Sequence, residues 1–396
     1  MRNERPRVGS GCYRAGHVKH LLGTICGLAA WAGLLSASTG SGAYKPSFSV
    51  AATLTHERAL AGAHDIELQG DLAFLAGKGG SLAVVNIRNP RAPELIWFHP
   101  DPGTLEDAET VLPLGRYLFV GSRDFHAFDL QAPQRPVLLA TISDRTRIDR
   151  INGFARRGNL VVAANKEGWI DAFDITDPRV PRLFGARHVR ARDGLLNPHD
   201  IDIAGNFTVT AGAEFMGREN RSGKVAIHRL TAPKSDDVLP ADRWELVRLV
   251  ESADLAGANR IKVHGRHAYV ACSISPEATY LRHGRGVVVD VNDPPRAREV
   301  ASIEFAGQRG PNGLTLAGNV WFLAGGQTVE AIDISNPSAP RKIVTLRLAG
   351  VLPTPLDNAH DLIYRDGYLY VTGQNDHRLV ILEIHHPDVL RLAAPR

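Results

Sequence analysis

The sequence has few of the features that usually identify an enzyme or a disulfide-stabilised scaffold. Only three of its 396 residues are cysteine, at positions 12, 26 and 272. No Gly-x-Ser-x-Gly, P-loop, His-Glu-x-x-His or Cys-x-x-Cys motif occurs, so the sequence gives no sign of a hydrolase elbow, a phosphate loop or a zinc or redox pair. Residues 77–81, "GKGGS", are interpreted as a hairpin turn, because no helix pattern follows them. Long amphipathic helix patterns are also scarce, whereas 38 Gly and 24 Pro predict frequent turns.

The N-terminus has the order of an export signal. A basic segment (1–20) precedes an apolar stretch of 15 residues (21–35) and a run of small residues (36–43). This order predicts a signal peptide over 1–43 that is removed after Ala43, and hence export to the periplasm or the extracellular space. An uncleaved membrane anchor is the alternative, although the apolar stretch is short for a membrane span.

Removing the leader changes the charge and cysteine arguments. Five Lys and Arg leave with one acidic residue, so the rest of the chain is formally neutral. Nothing in this balance favours nucleic acid as a partner. Cys272 remains alone, which excludes an internal disulfide, and its strand pattern indicates a buried, inert thiol.

One unit recurs seven times along the chain. Each unit has a tight-turn glycine between two short apolar runs, then a third run, a proline-bounded turn in most units and a fourth run. The turn glycines are 43 to 60 residues apart: Gly70, Gly115, Gly158, Gly205, Gly265, Gly318 and Gly367. Four short strands at this spacing are typical of a β-propeller.

The sequence therefore predicts an all-β fold, a seven-bladed β-propeller of four-stranded antiparallel blades, as a single domain over 44–396. The blades start near residues 64, 109, 152, 199, 259, 312 and 360. The seventh unit has a poorly marked fourth strand, and we expect residues 47–54 near the N-terminus to supply it and close the ring. The alternative is that "DVLRLA" (388–393) supplies it.

Two segments resemble a known repeat. "GNVWFLAGGQTVEAIDISNPSAPRKI" (318–343) and "GYLYVTGQNDHRLVILEI" (367–384) are similar to LVIVD repeats, and the resemblance extends over nearly all of 60–390. It implies a β-propeller that is usually exported or on the cell surface, mostly of unassigned activity. Blades four and five depart from the pattern through inserts.

Polar residues begin the inner strand of every predicted blade. In a propeller these positions converge on the mouth of the central channel. The first position of the ring is occupied by His64, Glu109, Asn152, His199, Asn259, Asn312 and His360; the next position includes Asp65, Asp200, Arg260 and Asp361. We predict a ligand-binding site from these residues.

Two kinds of chemistry fit this ring. His64, His199, His360 and Glu109 are a candidate metal set that would suit Zn, Cu or Fe, with the adjacent aspartates orienting the imidazoles. A histidine could instead act as a general base while Arg260 steadies an anion. A purely structural role also stays open, in which the aspartates cap backbone N–H groups.

The loops on the same face are the other candidates. Residues 143–152 and 187–199 are rich in arginine, and the long loops 211–223 and 273–286 add aromatic and basic residues. We expect a monomeric binding module that takes a small-molecule, acidic or protein ligand at this face. The alternative is a metal-dependent lyase or oxidase that uses the channel-mouth histidines.

Overall fold

The computed structural model describes residues 47–213, 223–230, 244–274, 284–350 and 358–387, together with Leu352 and Leu356. The leader (1–43), most of the two long loops and the segment 388–393 lie outside the described residues. None of the helices in these ranges combines the length and apolarity needed to cross a bilayer.

The described chain forms seven four-stranded sheets, which confirms the predicted propeller. The first strand, β1 (Ser47–Thr55), belongs to blade seven. Blade one consists of β2 (Ala63–Gln69), β3 (Leu72–Gly77), β4 (Ser81–Asn86) and β5 (Glu94–Phe98), and blade two of β6 (Thr110–Leu114), β7 (Tyr117–Gly121), β8 (Phe125–Asp129) and β9 (Val137–Ile142). Blade three consists of β10 (Ile151–Arg157), β11 (Leu160–Asn165), β12 (Trp169–Asp174) and β13 (Arg182–His188), and blade four of β14 (Pro198–Ala204), β15 (Phe207–Ala213), β16 (Gly223–Arg229) and β17 (Glu245–Ser252). Blades five to seven are β18 (Ala258–His264), β19 (His267–Cys272), β20 (Arg285–Asp290), β21 (Arg298–Glu304); β22 (Gly313–Ala317), β23 (Val320–Gly325), β24 (Thr328–Asp333), β25 (Arg341–Arg347); and β26 (Ala359–Arg365), β27 (Tyr368–Gly373), β28 (Arg378–His385). One short helix, α1 (Val189–Asp193), and two 3₁₀ turns (Pro294–Arg296, Leu348–Gly350) lie in the connections.

The ring is closed by the N-terminal strand, as predicted. β1 pairs antiparallel with β28, so that Phe48 lies opposite Ile384 and Leu54 opposite Leu379. The first strands of neighbouring blades also contact each other all the way round, from β2 through β26 and back to β2. A closed ring leaves no blade with an uncovered apolar face.

The repeated turns have a local physical cause. All seven turn glycines have positive φ, between 56° and 83°. Six of them, including Gly70 and Gly367, would meet nothing within 4 Å if a Cβ were added, so backbone conformation rather than space requires glycine there. After the third strand, side chains such as Asp174 and Asp333 accept the backbone N–H two residues on, which starts the proline-bounded turn.

The core is divided among the interfaces between blades. An apolar cluster fills each interface between neighbouring blades in the described chain. Between blades five and six, for example, the buried Trp321 ring meets Tyr269 edge-on at 5.3 Å. Burial of both faces of each sheet explains why second and third strands read as nearly continuous apolar runs.

Candidate functional site

Bulges in the inner strands set the direction of the mouth residues. In blades one, three, four and five the strand register shifts by one residue, which leaves His64, Asn152, His199 and Asn259 without a partner on the second strand. The register of blade seven shifts in the same region, around His360. A bulge re-aims a side chain relative to the sheet, and here it directs the ring position towards its neighbours around the channel.

The ring residues hydrogen-bond from one blade to the next. His360 Nδ1 donates to the His64 carbonyl at 3.0 Å, and His64 Nδ1 donates to the Glu109 carbonyl at 2.8 Å. Asn152 Nδ2 donates to both the carbonyl and Nδ1 of His199. These bonds join blade seven to blade one, blade one to blade two, and blade three to blade four. Part of the polar ring therefore holds neighbouring blades together.

The same bonds assign the histidine tautomers. Because a carbonyl can only accept, His64 and His360 carry their proton on Nδ1, and their Nε2 atoms are acceptors. His199 Nδ1 accepts from Asn152, so this ring carries its proton on Nε2 and is a donor there. Burial holds the pKa of all three imidazoles well below the ordinary value, and neighbouring cations lower it further. The mouth therefore contains neutral imidazoles at neutral pH.

The aspartates that follow two of these histidines bind the next blade. Asp65 Oδ2 accepts the Val111 N–H at 2.8 Å, and Asp200 Oδ2 accepts the Ile261 N–H at 2.9 Å. This capping role was one of the alternatives for these residues, and it is present in blades one and four. These two side chains therefore do not orient imidazoles.

The predicted site residues are divided between two levels of the channel. The mouth is a cavity of about 430 Å³, and its lining includes five of them: His64, His199, Asn259, Asn312 and His360. Beneath it lies a second cavity of about 60 Å³, lined in part by the four predicted residues Asp65, Asp200, Arg260 and Asp361. Arg260 belongs to this inner level, where it contacts the Asn152 carbonyl at 3.1 Å and Asp65 at 3.8 Å. Asn152 and Glu109 are buried and line neither cavity.

The inner cavity holds an excess of carboxyl groups. Asp65, Glu67, Asp200 and Asp361 face two cations, Arg260 and Lys262. Burial raises the pKa of Glu67 to about 7, and that of Asp361 well above its ordinary value, with Asp65 contributing to both. Some of these carboxyl groups are therefore protonated at neutral pH.

The mouth cavity has the opposite charge. Among the described residues, its lining includes the cations Lys78, Arg150, Lys166 and Arg309 and no carboxylate. Glu109, 1% exposed, lies behind this lining; its carboxylate contacts the Lys166 ammonium and lies 3.6 Å from Lys78 Nζ. Amide side chains from blades five, six and seven also line the cavity and bond to one another: Asn259 donates to Asn312, and Asn358 donates to Gln374.

Two loop positions recur around the cavity; three of the loops that carry them (143–152, 187–199 and 273–286) were predicted from the sequence as candidates, but the individual positions were not. The first residue after the second strand lines it in four blades, as Lys78, Lys166, Ser273 and Gln374. The residue two positions before the ring lines it in four more places, as Arg150, Asn197, Gly310 and Asn358, and the three that are not glycine have positive φ. Lys78 in "GKGG" (77–80) and Lys166 in "NKEG" (165–168) both occupy the first position after the second strand. Alignment of these two turns between blades would have identified both lysines.

The arginine-rich loops contribute less to the cavity than their composition suggests. Arg150 lines it and also pairs with Glu167. Arg187, by contrast, forms a paired contact with Asp193, which also accepts from His228 at 3.0 Å. That cluster lies outside the mouth lining and is a structural network.

The candidate metal set does not fit a metal ion in this geometry. Among the described residues, no group of three His, Cys, Asp or Glu side chains is placed to hold one. His64 Nε2 lies 3.4 Å from Glu109 Oε2, so two members of the set are together. The Glu109 carboxylate is, however, also engaged by two lysines, and the rings of His64 and His360 lie against each other with centroids 3.9 Å apart. Carboxylate and imidazole ligands would have to leave these partners to converge on a metal.

The comparisons with known proteins agree with the fold. The LVIVD repeat matches residues 62–97 and 313–345, which confirms the resemblance drawn from the sequence. The WD40 β-propeller domain of Doa1 has a TM-score of 0.61 at 11% identity, covering 89% of this chain and 100% of that domain. The computationally designed Ika8 protein has a TM-score of 0.52 at 11% identity, covering 84% and 98%. No curated protein matches the sequence. At this identity the two solved structures show the fold alone.

Proposed function

We propose that this LVIVD-repeat propeller is an exported binding module whose channel mouth takes a small anionic molecule. One observation carries the proposal: in the part of the chain that the structure describes, a cavity of about 430 Å³ is lined by four cationic side chains and no carboxylate. This volume lies within the range of small-molecule sites, roughly 300–1,000 Å³. The leader pattern of residues 1–43 supports export.

The arrangement suits a carboxylic acid that also carries hydroxyl or carbonyl groups. The four cations and the amides of Asn259, Asn312 and Asn358 line the same cavity. Charged side chains bind the carboxylate of the acid. The amides and imidazoles form hydrogen bonds with the hydroxyl or carbonyl groups of the acid, as donors or as acceptors. The His360 acceptor and the His199 donor add further complementarity to a polyfunctional acid.

Calorimetric titration with citrate, L-malate and 2-hydroxyglutarate tests the proposal, with glycerol as the uncharged comparison. We expect binding of at least one acid, weakened by added salt because the cation wall is partly exposed to solvent. Lys78→Gln should weaken it about 10-fold, which corresponds to about 1.4 kcal/mol. Lys342→Gln is the matched control, because Lys342 also pairs with a buried glutamate, Glu330, but lies outside the mouth lining. Absence of binding at millimolar acid, or equal affinity in Lys78→Gln, would refute the proposal.

The metal-dependent enzyme, the alternative drawn from the sequence, is less well supported by the same geometry. Elemental mass spectrometry of the purified protein tests it directly, and we expect no stoichiometric transition metal. A metal present in equal amount with the chain and lost in His199→Ala would reverse the choice between the two functions.

A further inference from the structure

Lys166 differs from the other cations of the mouth in its burial. It is the first residue after β11, and it is 7% exposed while still lining the cavity. Its ammonium contacts Glu109, whose other carboxylate oxygen lies 3.6 Å from Lys78 Nζ. Two amines therefore share one buried carboxylate at the floor of a cavity that reaches solvent.

This environment increases the unprotonated fraction of the Lys166 amine. Burial lowers its pKa to about 8; Glu109 opposes this effect, and Lys78 adds to it. At pH 7 about one amine in ten is then unprotonated, on the order of 200-fold more than for a lysine with the ordinary pKa of about 10.4. A desolvated lysine beside a second cation is a known arrangement for a nucleophilic amine.

We propose that Lys166 forms a reversible imine with the carbonyl carbon of an anionic oxo acid held in the mouth. The inference rests on the proposed function, since the acid's carboxylate must first be bound by the surrounding cations. The ligand class is narrower than an anion: a carboxylic acid with an aldehyde or ketone group near the carboxylate.

The bond changes balance without an oxidant or reductant. Glu109 takes the proton of the Lys166 ammonium, and the freed amine adds to the carbonyl carbon to give a carbinolamine. The carbinolamine hydroxyl then leaves as water with a proton returned by Glu109, and the remaining N–H proton passes through Glu109 to water, so that one proton is released for each ammonium converted to the neutral imine. The net change is one C=O and one amine converted to one C=N and one water.

Reductive trapping tests the proposal. The full chain is incubated with pyruvate or 2-oxoglutarate and sodium cyanoborohydride, which reduces the imine to a stable secondary amine, and the adduct is located by peptide mass spectrometry. We expect modification of Lys166 at least ~50-fold faster than of Lys342, the lysine paired with a buried glutamate outside the mouth. Lactate and 2-hydroxyglutarate, which lack the carbonyl, should give no adduct.

The pH profile and two variants separate a reactive amine from an accessible one. The groups that face the Lys166 amine are Glu109, Lys78, Asp107 and the imidazoles of the mouth. The ratio of the trapping rate at Lys166 to that at surface lysines, which cancels the pH dependence of the reagent, should be greatest below about pH 8 and fall above it, because the surface amines lose their protons only at higher pH. Lys166→Arg should abolish the adduct and keep the charge, and Lys342→Arg should leave it unchanged.

Failure of this inference differs from failure of the proposed function. If 2-hydroxyglutarate or lactate binds by calorimetry but neither oxo acid gives an adduct on Lys166, the imine is refuted and the anion site stands. If neither these acids nor citrate or L-malate binds, both fail. An adduct spread evenly over surface lysines also overturns the inference.

Discussion

Replacing Glu67 with glutamine should stabilise the propeller at alkaline pH and have little effect at acidic pH. Glu67 lies on β2 and lines the inner channel cavity with Asp65, Asp200 and Asp361. Burial raises its pKa from the ordinary 4.5 to about 7; Lys262 opposes this effect, and Asp65 adds to it. The native state therefore binds this proton more tightly than the unfolded chain does.

The sign and size follow from proton linkage. Between pH 4.5 and about 7 the native state holds more protons at this group, so its stability falls as the pH rises through that window. Each pKa unit corresponds to about 1.4 kcal/mol, so the fully developed effect is about 3 kcal/mol. Glutamine stays uncharged throughout and avoids the loss.

Urea denaturation at pH 4.5 and pH 8 measures the difference. The gain of Glu67→Gln over the wild type should be about 3 kcal/mol larger at pH 8 than at pH 4.5. Glu94→Gln, an exposed glutamate on β5 of the same blade, is the control and should show no such difference. An equal effect of Glu67→Gln at both pH values would show that the carboxyl group is not held in its protonated form by the channel, and the reasoning would be wrong.

Three further predictions follow from the packing and the hydrogen bonds. Gly286→Ala should destabilise the chain by about 1–3 kcal/mol, because its Cβ would lie 2.3 Å from the buried Trp321 ring; Gly185→Ala, whose Cβ would have no neighbour closer than 3.7 Å, is the control, and equal melting temperatures for the two variants would contradict the expected clash. Cys272 is buried with a raised thiol pKa, so a chain with the two leader cysteines replaced by serine should not react with a disulfide reagent until it is denatured. Long-range ¹H–¹⁵N spectra should show His199 protonated on Nε2, and a proton on Nδ1 instead would contradict the assigned bond network.

The repeat and the closure of the ring were predictable because they depend on local chemistry. The turn glycines need a positive φ, and the alternating apolar runs need two covered faces. A seventh unit without a marked fourth strand, together with an unassigned strand pattern at 47–54, therefore pointed to closure between the two ends of the chain. β1 and β28 pair as this requires.

The division of the site into two levels was not predictable. His64 and Asp65 are adjacent in sequence, yet one lines the mouth and the other lines the inner cavity and binds blade two. Which side each residue faces depends on a one-residue bulge, and a bulge leaves no clear mark in the sequence.

By itself, the sequence determined the fold type, the number of blades and the convergence of seven polar positions on one channel, because strand period, turn chemistry and repeat spacing are properties of neighbouring residues. Only the tertiary structure decided the charge of the mouth. Lys78 and Lys166 are 88 positions apart and share the carboxylate of Glu109 from a third blade. Such a contact depends on how the blades close around the axis, and burial at that point, rather than residue type, lowers the pKa of Lys166.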